Sequence, residues 1–257
     1  MCGAELKTLP DSVQKVAAFL LAAGHGHLPV MLDAAARTAQ QAADALGVNV
    51  GQIAKSIIFR RQFDDAAVLV VTAGDQRVDE RKLEALGFVC PDGKRLGRAD
   101  ATFVKTKTGF SIGGVSPVAH ATPVVTVIDA SLQRFDVIWA AAGHPHAVFQ
   151  LSPQDLQRLT DAPVFDVAVN PAQELLALKN AIDLVANKAA ETKATGIMAS
   201  PCISVCRMTR LSGVADELCG GCFRTLDELL AWGNASVAIK GDVWQRIEQR
   251  INLLRPA

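Results

Sequence analysis

No run of apolar residues in this chain approaches the length a membrane-crossing helix needs, so no membrane partner is expected. Charge of one sign is also missing. The 26 Lys and Arg balance 26 Asp and Glu, a formal net charge of zero. That excludes the strongly basic composition of a general nucleic-acid binder, and DNA is not an expected partner. The opening Met1-Cys2-Gly3-Ala4-Glu5-Leu6-Lys7 lacks a basic-then-apolar signal pattern, and Cys2 displaces the glycine of a myristoylation start. A cytoplasmic location is the expectation that follows. There is no internal repeat and no low-complexity tract. Nor does any serine stand out as a nucleophile, because Ser56, Ser111 and Ser116 lack the elbow context of a hydrolase serine. Cysteine is sparse along most of the chain, with Cys2 and Cys90 isolated and the other four crowded between residues 202 and 222.

What is present is a globular composition, half apolar and a fifth charged, in 257 residues. That length suits one large or two modest domains. Val13, Val16, Ala17, Leu20 and Leu21 recur at helical spacing behind Asp11 or Ser12, with Gly24 as a stop. Leu28–Leu32 reads as a short strand, and Thr38–Leu46 as a helix ended by Gly47. Ser56–Arg60 and Ala67–Thr72 are rich in Ile and Val, and Asp64-Asp65 between them predicts a hairpin. Asp79 caps a helix ending near Gly87. Residues 99–106 predict another helix, while 124–128, 137–141 and 148–151 predict strands. Ser152-Pro153 opens a helix with proline at its first position. Residues 60, 61, 94, 95, 98, 105 and 107 are all basic, and read either as a phosphate-facing patch or as a solvated face. Leu175, Leu176, Leu178, Ile182, Leu184 and Val185 give an amphipathic helix after Asn170-Pro171, followed by a linker at residues 191–196.

Two features carry chemistry in the first part. Lys55 lies among apolar neighbours in Gln52-Ile53-Ala54-Lys55-Ser56-Ile57-Ile58-Phe59. Such an amine either snorkels at a strand edge or serves a ligand, neutralising a phosphate or polarising an ester. The loop Thr108-Gly109-Phe110-Ser111-Ile112-Gly113-Gly114-Val115-Ser116-Pro117 follows. Gly113 and Gly114 let backbone N–H groups approach a substrate and steady a developing oxyanion, and Pro117 stiffens the exit. Gly143, His144 and His146 are further candidates for the same pocket, or surface residues of a hairpin. Leu28, Val30, Leu32 and Ile58 are candidate specificity residues and equally candidate core. Asp75 and Asp79 read as turn and helix caps.

The order of these motifs resembles the YbaK/ProX family of free-standing aminoacyl-tRNA editing domains. Ala45-Leu46-Gly47-Val48 precedes the lysine run, and Gly74-Asp75-Gln76-Arg77-Val78-Asp79 with Lys82-Leu83 follows it. Ala142-Gly143 and Leu151-Ser152-Pro153-Gln154-Asp155-Leu156 close the pattern, which spans about residues 28 to 160. The resemblance implies an α+β fold, a curved mixed sheet flanked by helices. It also implies hydrolysis of the ester in mischarged aminoacyl-tRNA. Lys55, Gly113 and Gly114 would then be catalytic. Leu28, Val30, Leu32, Ile58, Ser116, Pro117, Gly143 and His144 would bind substrate. Water or the RNA's own ribose hydroxyl replaces a protein nucleophile in such domains, and no cofactor is needed. Aminoacyl-tRNA is the expected partner, with an aminoacyl-tRNA synthetase as a second.

Cys202-x3-Cys206 and Cys219-x2-Cys222, twelve residues apart, form a set that four-thiolate metal binding explains in a reducing compartment. Zinc is the expected ion and an iron–sulfur cluster the alternative. The segment resembles a small Cys-rich family of unknown function, and Thr225 with Glu228 forms a capping box there. The expected organisation is an editing domain over 1–167, a helical linker over 168–197 and a metal-stabilised module over 198–257. Two competing readings remain: a non-catalytic binder of aminoacyl-tRNA or another nucleotide ester, and a redox or iron-carrier role for the cysteine module.

Overall fold

The computed structural model describes residues 9–255 apart from 92, 94, 206 and 212. It divides into two compact units, Met1–Val169 and Asn170–Ala257.

The first unit is built on a mixed sheet. Its strands are β1 (Val30–Met31), β2 (Ile53–Arg61), β3 (Ala67–Ala73), β4 (Leu96–Arg98), β5 (Val125–Asp129), β6 (Ile138–Ala141), β7 (Ala147–Leu151) and β8 (Val164–Phe165). Their order is β1-β7-β6-β2-β3-β5-β8, and β4 pairs with the far end of β2. The β2–β3 hairpin is antiparallel with Lys55 opposite Thr72, and Asp65 supplies the positive φ of 58° at its turn. β3 then pairs with β5, and β2 with β6, in parallel.

β3 is buried on both faces, which is why its sequence reads Ala-Val-Leu-Val-Val with no polar alternation. Leu69 and Val71 enter a core shared with Val13, Val16 and Leu20 of helix α1 (Asp11–Ala22). Val68 and Val70 enter a second core with Leu83, Val89 and Val127. Each such side chain contributes about 1.5–3 kcal/mol by leaving water. The remaining helices are α2 (Ala39–Leu46), α3 (Glu80–Glu84), α4 (Ala101–Thr108) and α5 (Pro153–Thr160). Side-chain caps explain where they begin. Thr38 and Gln41 form a reciprocal box on α2, Asp79 accepts from Arg81 N, Asp100 caps α4, and Ser152 with Asp155 boxes α5.

In the second unit, α6 (Pro171–Thr195) packs Ala181, Ile182, Val185 and Ala189 against Val243, Trp244, Ile247 and Ile251 of α8 (Val237–Leu254). The helix expected as a linker is thus part of this unit's core. Its buried face is also shifted, with Leu175, Leu176 and Leu184 left exposed. Residues 191–195 continue the helix, and Gly196 ends it at φ 69°. A two-stranded hairpin, β9 (Met208–Arg210) and β10 (Glu217–Cys219), and the short α7 (Leu226–Ala231) complete the unit. The Thr225–Glu228 capping box forms as the sequence predicts. No helix among the described residues is long and apolar enough to cross a membrane.

Candidate functional site

The N-terminal end of β2, the start of α2, the glycine loop and the β6–β7 turn enclose a cavity of about 350 Å³. Lys55, Gly113 and His144 line it, with Trp139 of β6 and Arg37 beside them. Its small walls come largely from alanine, including Ala36, Ala39 and Ala42.

Lys55 is held by the turn after β3. Its Nζ donates to the carbonyl of Gly74 at 3.2 Å and also to that of Gln76. An ammonium has three donors, so one remains for a ligand. Burial lowers the Lys55 pKa from its ordinary 10.5, and the nearby Asp75 carboxylate partly restores it. Asp75 is itself paired with Arg134 at 2.8 Å. Its sequence reading as a turn cap therefore gives way to an ion pair beside the lysine.

The two loop glycines differ. Gly113 has φ +91°, a conformation that side-chain-bearing residues rarely adopt, and it faces the cavity. Its N–H has no partner among the described residues. Gly114 donates its N–H to Ser111 O at 3.0 Å, so the expectation that both amides face a substrate is corrected: Gly114's is spent within the loop. Gly114 serves instead as a contact point, because a Cβ there would lie 2.7 Å from the backbone carbon of His144. His144 Nδ1 accepts from His146 N at 3.2 Å, which leaves the ring proton on Nε2 in the neutral form.

The other expected substrate residues disperse. Leu28 and Val30 line a separate cavity of about 290 Å³ that meets the first at Trp139. Leu32 pairs its amide with His146 O at 2.6 Å, and Ile58 packs on the main core. Ser116 and Pro117 are buried in the loop's exit, and Gly143 is buried against Ser12 and Phe110. None of these seven lines the cavity of Lys55. Sequence reasoning missed Trp139 and the alanines of residues 36–42. The alanines carry no chemical signal, and Trp139 reads as ordinary strand filling.

Three of the basic residues near the hairpin are ion-paired. Arg60 and Lys107 both pair with Asp65, at 2.6 and 3.2 Å, and Arg61 with Asp64 at 2.7 Å. Lys94 lies outside the described residues.

Cys219 donates its thiol to Val205 O at 3.2 Å, and Arg224 Nε donates to Cys222 Sγ at 3.2 Å. Ser204 N donates to Cys202 Sγ at 3.4 Å. Among the described residues no three His, Cys, Asp or Glu side chains gather as one metal site, and Cys206 lies outside them. The four-cysteine set thus rests on its spacing in the sequence.

A lysine, a glycine turn and a histidine thus meet at one cavity of a mixed-sheet α/β domain. Residues 33–159 match the model of the aminoacyl-tRNA editing domain, and residues 200–251 match a protein family of unknown function, DUF1289. The chain is 33% identical over 129 residues to the uncharacterized protein YwhH of Bacillus subtilis (strain 168), covering 50% of this chain and 78% of that protein. A crystal structure of a candidate trans-editing enzyme for prolyl tRNA synthetase is 38% identical with a TM-score of 0.57, over 63% of this chain and 100% of that one. A scaffold from work on epitope grafting by computational design is 37% identical with a TM-score of 0.58, again over 63% and 100%. The chain belongs to the aminoacyl-tRNA editing domain family, with the DUF1289 segment at its C-terminal side.

Proposed function

We propose that the first unit is a deacylase that hydrolyses the ester of mischarged aminoacyl-tRNA in trans. The observation that carries this reading is the meeting of Lys55, Gly113 and His144 at one cavity of about 350 Å³. The family membership and the description of the prolyl trans-editing relative support it. The ester carbonyl oxygen sits toward the free Gly113 N–H, where a preorganised donor stabilises charge as it develops. The third Lys55 donor serves the same oxygen or a neighbouring phosphate. His144, with its proton on Nε2, is a donor that orients substrate rather than a base on that nitrogen. Neither Ser56 nor Ser116 has a base beside its hydroxyl among the described residues. Ser56 Oγ is buried without a hydrogen-bond partner, and the His120 ring bonds the carbonyl of Ser116, not its hydroxyl. Water therefore adds to the carbonyl carbon, the acyl–oxygen bond breaks, and the ribose oxygen leaves with a proton. A synthetase is a partner in this scheme, supplying the mischarged RNA.

The test is single-turnover deacylation across a panel of mischarged transfer RNAs. Release of amino acid from at least one is expected, slowed about 100-fold or more by loss of a positioned electrostatic group. Tight binding without release from any member would favour the non-catalytic binder.

For the second unit we propose that Cys202, Cys206, Cys219 and Cys222 hold one zinc ion, a structural role that four thiolates fill by closing a tetrahedral site. Metal analysis of protein purified without oxygen should find about one zinc per chain. Stoichiometric iron with visible absorption would replace zinc by a cluster, and metal-free protein with four reactive thiols would end the proposal.

A further inference from the structure

The glycine loop borders the cavity described above, and the segment that follows it borders another. Ala119, His120 and Thr122 wall an open cavity of about 570 Å³ together with Lys15 and Phe19 of α1. Three basic side chains gather around the two ends of the loop. Lys15 Nζ lies 3.7 Å from the point where a Cβ on Gly109 would stand, and Lys105 Nζ donates to the Gly109 carbonyl at 3.0 Å. His120 Nε2 is 2.8 Å from the Ser116 carbonyl, which can only accept, so that nitrogen carries the ring proton.

These charges are not balanced by the protein. Lys15 and Lys105 are exposed and have no ion-pair partner among the described residues, whereas the adjacent Lys107 is paired with Asp65. Burial and the charge of Lys15 lower the His120 pKa from 6.5, as expected beside an uncompensated cation. The backbone at this wall is also strained: Ala119 holds φ +61°, a left-handed conformation that non-glycine residues rarely adopt. Lysine is a point-charge partner for phosphate, and a flexible pair of them suits a backbone phosphodiester better than a planar, bidentate ligand.

We propose that this second cavity is an anion subsite that takes a backbone phosphate of the RNA whose aminoacylated end occupies the first cavity. The inference rests on the deacylase reading: Ile112, Gly113 and Val115 line the first cavity, and Ala119–Val124, a few residues further along the same segment, line the second. Lys15 supplies charge from the cavity wall, and Lys105, held on the Gly109 carbonyl next to Lys15, adds to it from the rim.

The experiment is a binding titration of an uncharged tRNA transcript to the full chain at a series of salt concentrations. Lys15→Ala, Lys105→Ala and the double variant are compared with the parent, with thermal transitions recorded for each. Each lost phosphate contact to a single-stranded end should reduce the slope of log affinity against log salt by about 0.7. Affinity should fall several-fold while the thermal transition stays in place, and Lys15→Arg should keep most of the parental slope. A transcript trimmed of its single-stranded 3′ end should bind parent and double variant alike. Parental affinity and slope in the double variant would overturn the subsite. So would inorganic phosphate displacing the transcript at equal phosphate concentration, which would make this a site for the free anion. Because the transcript carries no amino acid, these results are independent of turnover, on which the deacylase reading stands or falls.

Discussion

Lys55 donates through Nζ to the carbonyl oxygen of Gly74 at 3.2 Å, and Gly74 has no room for a side chain. A Cβ there would lie 2.2 Å from the carbonyl oxygen of Val50. The lysine is thus aimed by a backbone turn that is itself wedged against the turn preceding β2. Gly74→Ala must push that backbone apart, and the Gly74 carbonyl must move with it. The expected result is a stability loss of about 1–3 kcal/mol, typical of overpacking, together with a larger drop in deacylation than the stability loss explains. Denaturant unfolding and single-turnover rates measured on the same preparation check this. Parental kinetics in a destabilised protein would separate the Gly74 wedge from the aim of Lys55.

Removing Lys55 also frees two carbonyls, so Lys55→Ala should slow hydrolysis about 100-fold and also cost some stability. The pH profile separates the two effects. Burial lowers the folded-state pKa of Lys55 below 10.5, with Asp75 opposing. Between that lowered value and 10.5 the unfolded chain binds more protons than the folded one, so this residue's contribution to stability rises with pH. If charged Lys55 stabilises the reacting ester, activity must fall across the same window. Rates that decline with rising pH, in protein whose stability does not decline through Lys55, are the expected outcome. A flat alkaline profile would remove the ammonium from the chemistry.

Gly114 and His144 form the other coupled pair. Gly114→Ala would place its Cβ 2.7 Å from the His144 backbone carbon, so the substitution should act by displacing the histidine and the turn that carries it. Activity is expected to fall by about tenfold or more, as misplacement of a positioning group does. The His144 ring resonances should shift in the same variant. Ser111→Ala keeps the Ser111 carbonyl that accepts from Gly114 N, and should leave those resonances in place. An unshifted His144 in Gly114→Ala would contradict the contact.

Much of this architecture was legible because it is local. The apolar run of β3, the Asp64-Asp65 turn, the Asp79 cap and the Ser152-Pro153 start are determined by neighbours in sequence. The parallel pairings of β2 with β6 and of β3 with β5 join segments far apart in the chain, and no residue announces them. Site prediction failed along the same line. Lys55, Gly113 and His144 carried chemical or conformational signals and meet at one cavity. Leu28, Val30, Leu32 and Ile58 were placed there by apolarity alone, which marks core and pocket walls equally. The role of the Gly114 amide is not legible in the sequence, because its partner, the Ser111 carbonyl, is a matter of loop conformation. In α6 the apolar pattern correctly marks Ile182 and Val185, but Leu175, Leu176 and Leu184 face solvent while Ala181 and Ala189 join the buried face. Close packing of two helices favours the smaller residues at the contact, and composition does not show that.

The second unit has its own electrostatic keystone, and it predicts an acid limb. Glu228 accepts from Arg250 at 2.7 and 3.1 Å, from Thr225 N at 2.9 Å and lies 3.1 Å from Arg246 Nε. Burial works to raise its pKa, but the Arg250 pair, the Thr225 amide and Arg246 outweigh it and hold it below 4.5. The depressed folded-state value means that this carboxylate contributes stability above 4.5 and loses it as pH falls through the folded pKa. Arg250 also donates to Phe223 O at 2.9 Å, so the pair ties α8 to the loop between Cys222 and α7. Glu228→Gln keeps the shape and removes the charge. At neutral pH it should cost on the order of 2 kcal/mol, the scale of a hydrogen bond to a charged group. Hydrogen exchange should report the loss in α8 and β10 and leave β3 protected as in the parent, because the two units have separate cores. The acid limb of α8 protection should flatten at the same time. Equal protection of α8 in variant and parent at pH 7 would show that the helix pair of α6 and α8 holds this unit without its buried carboxylate.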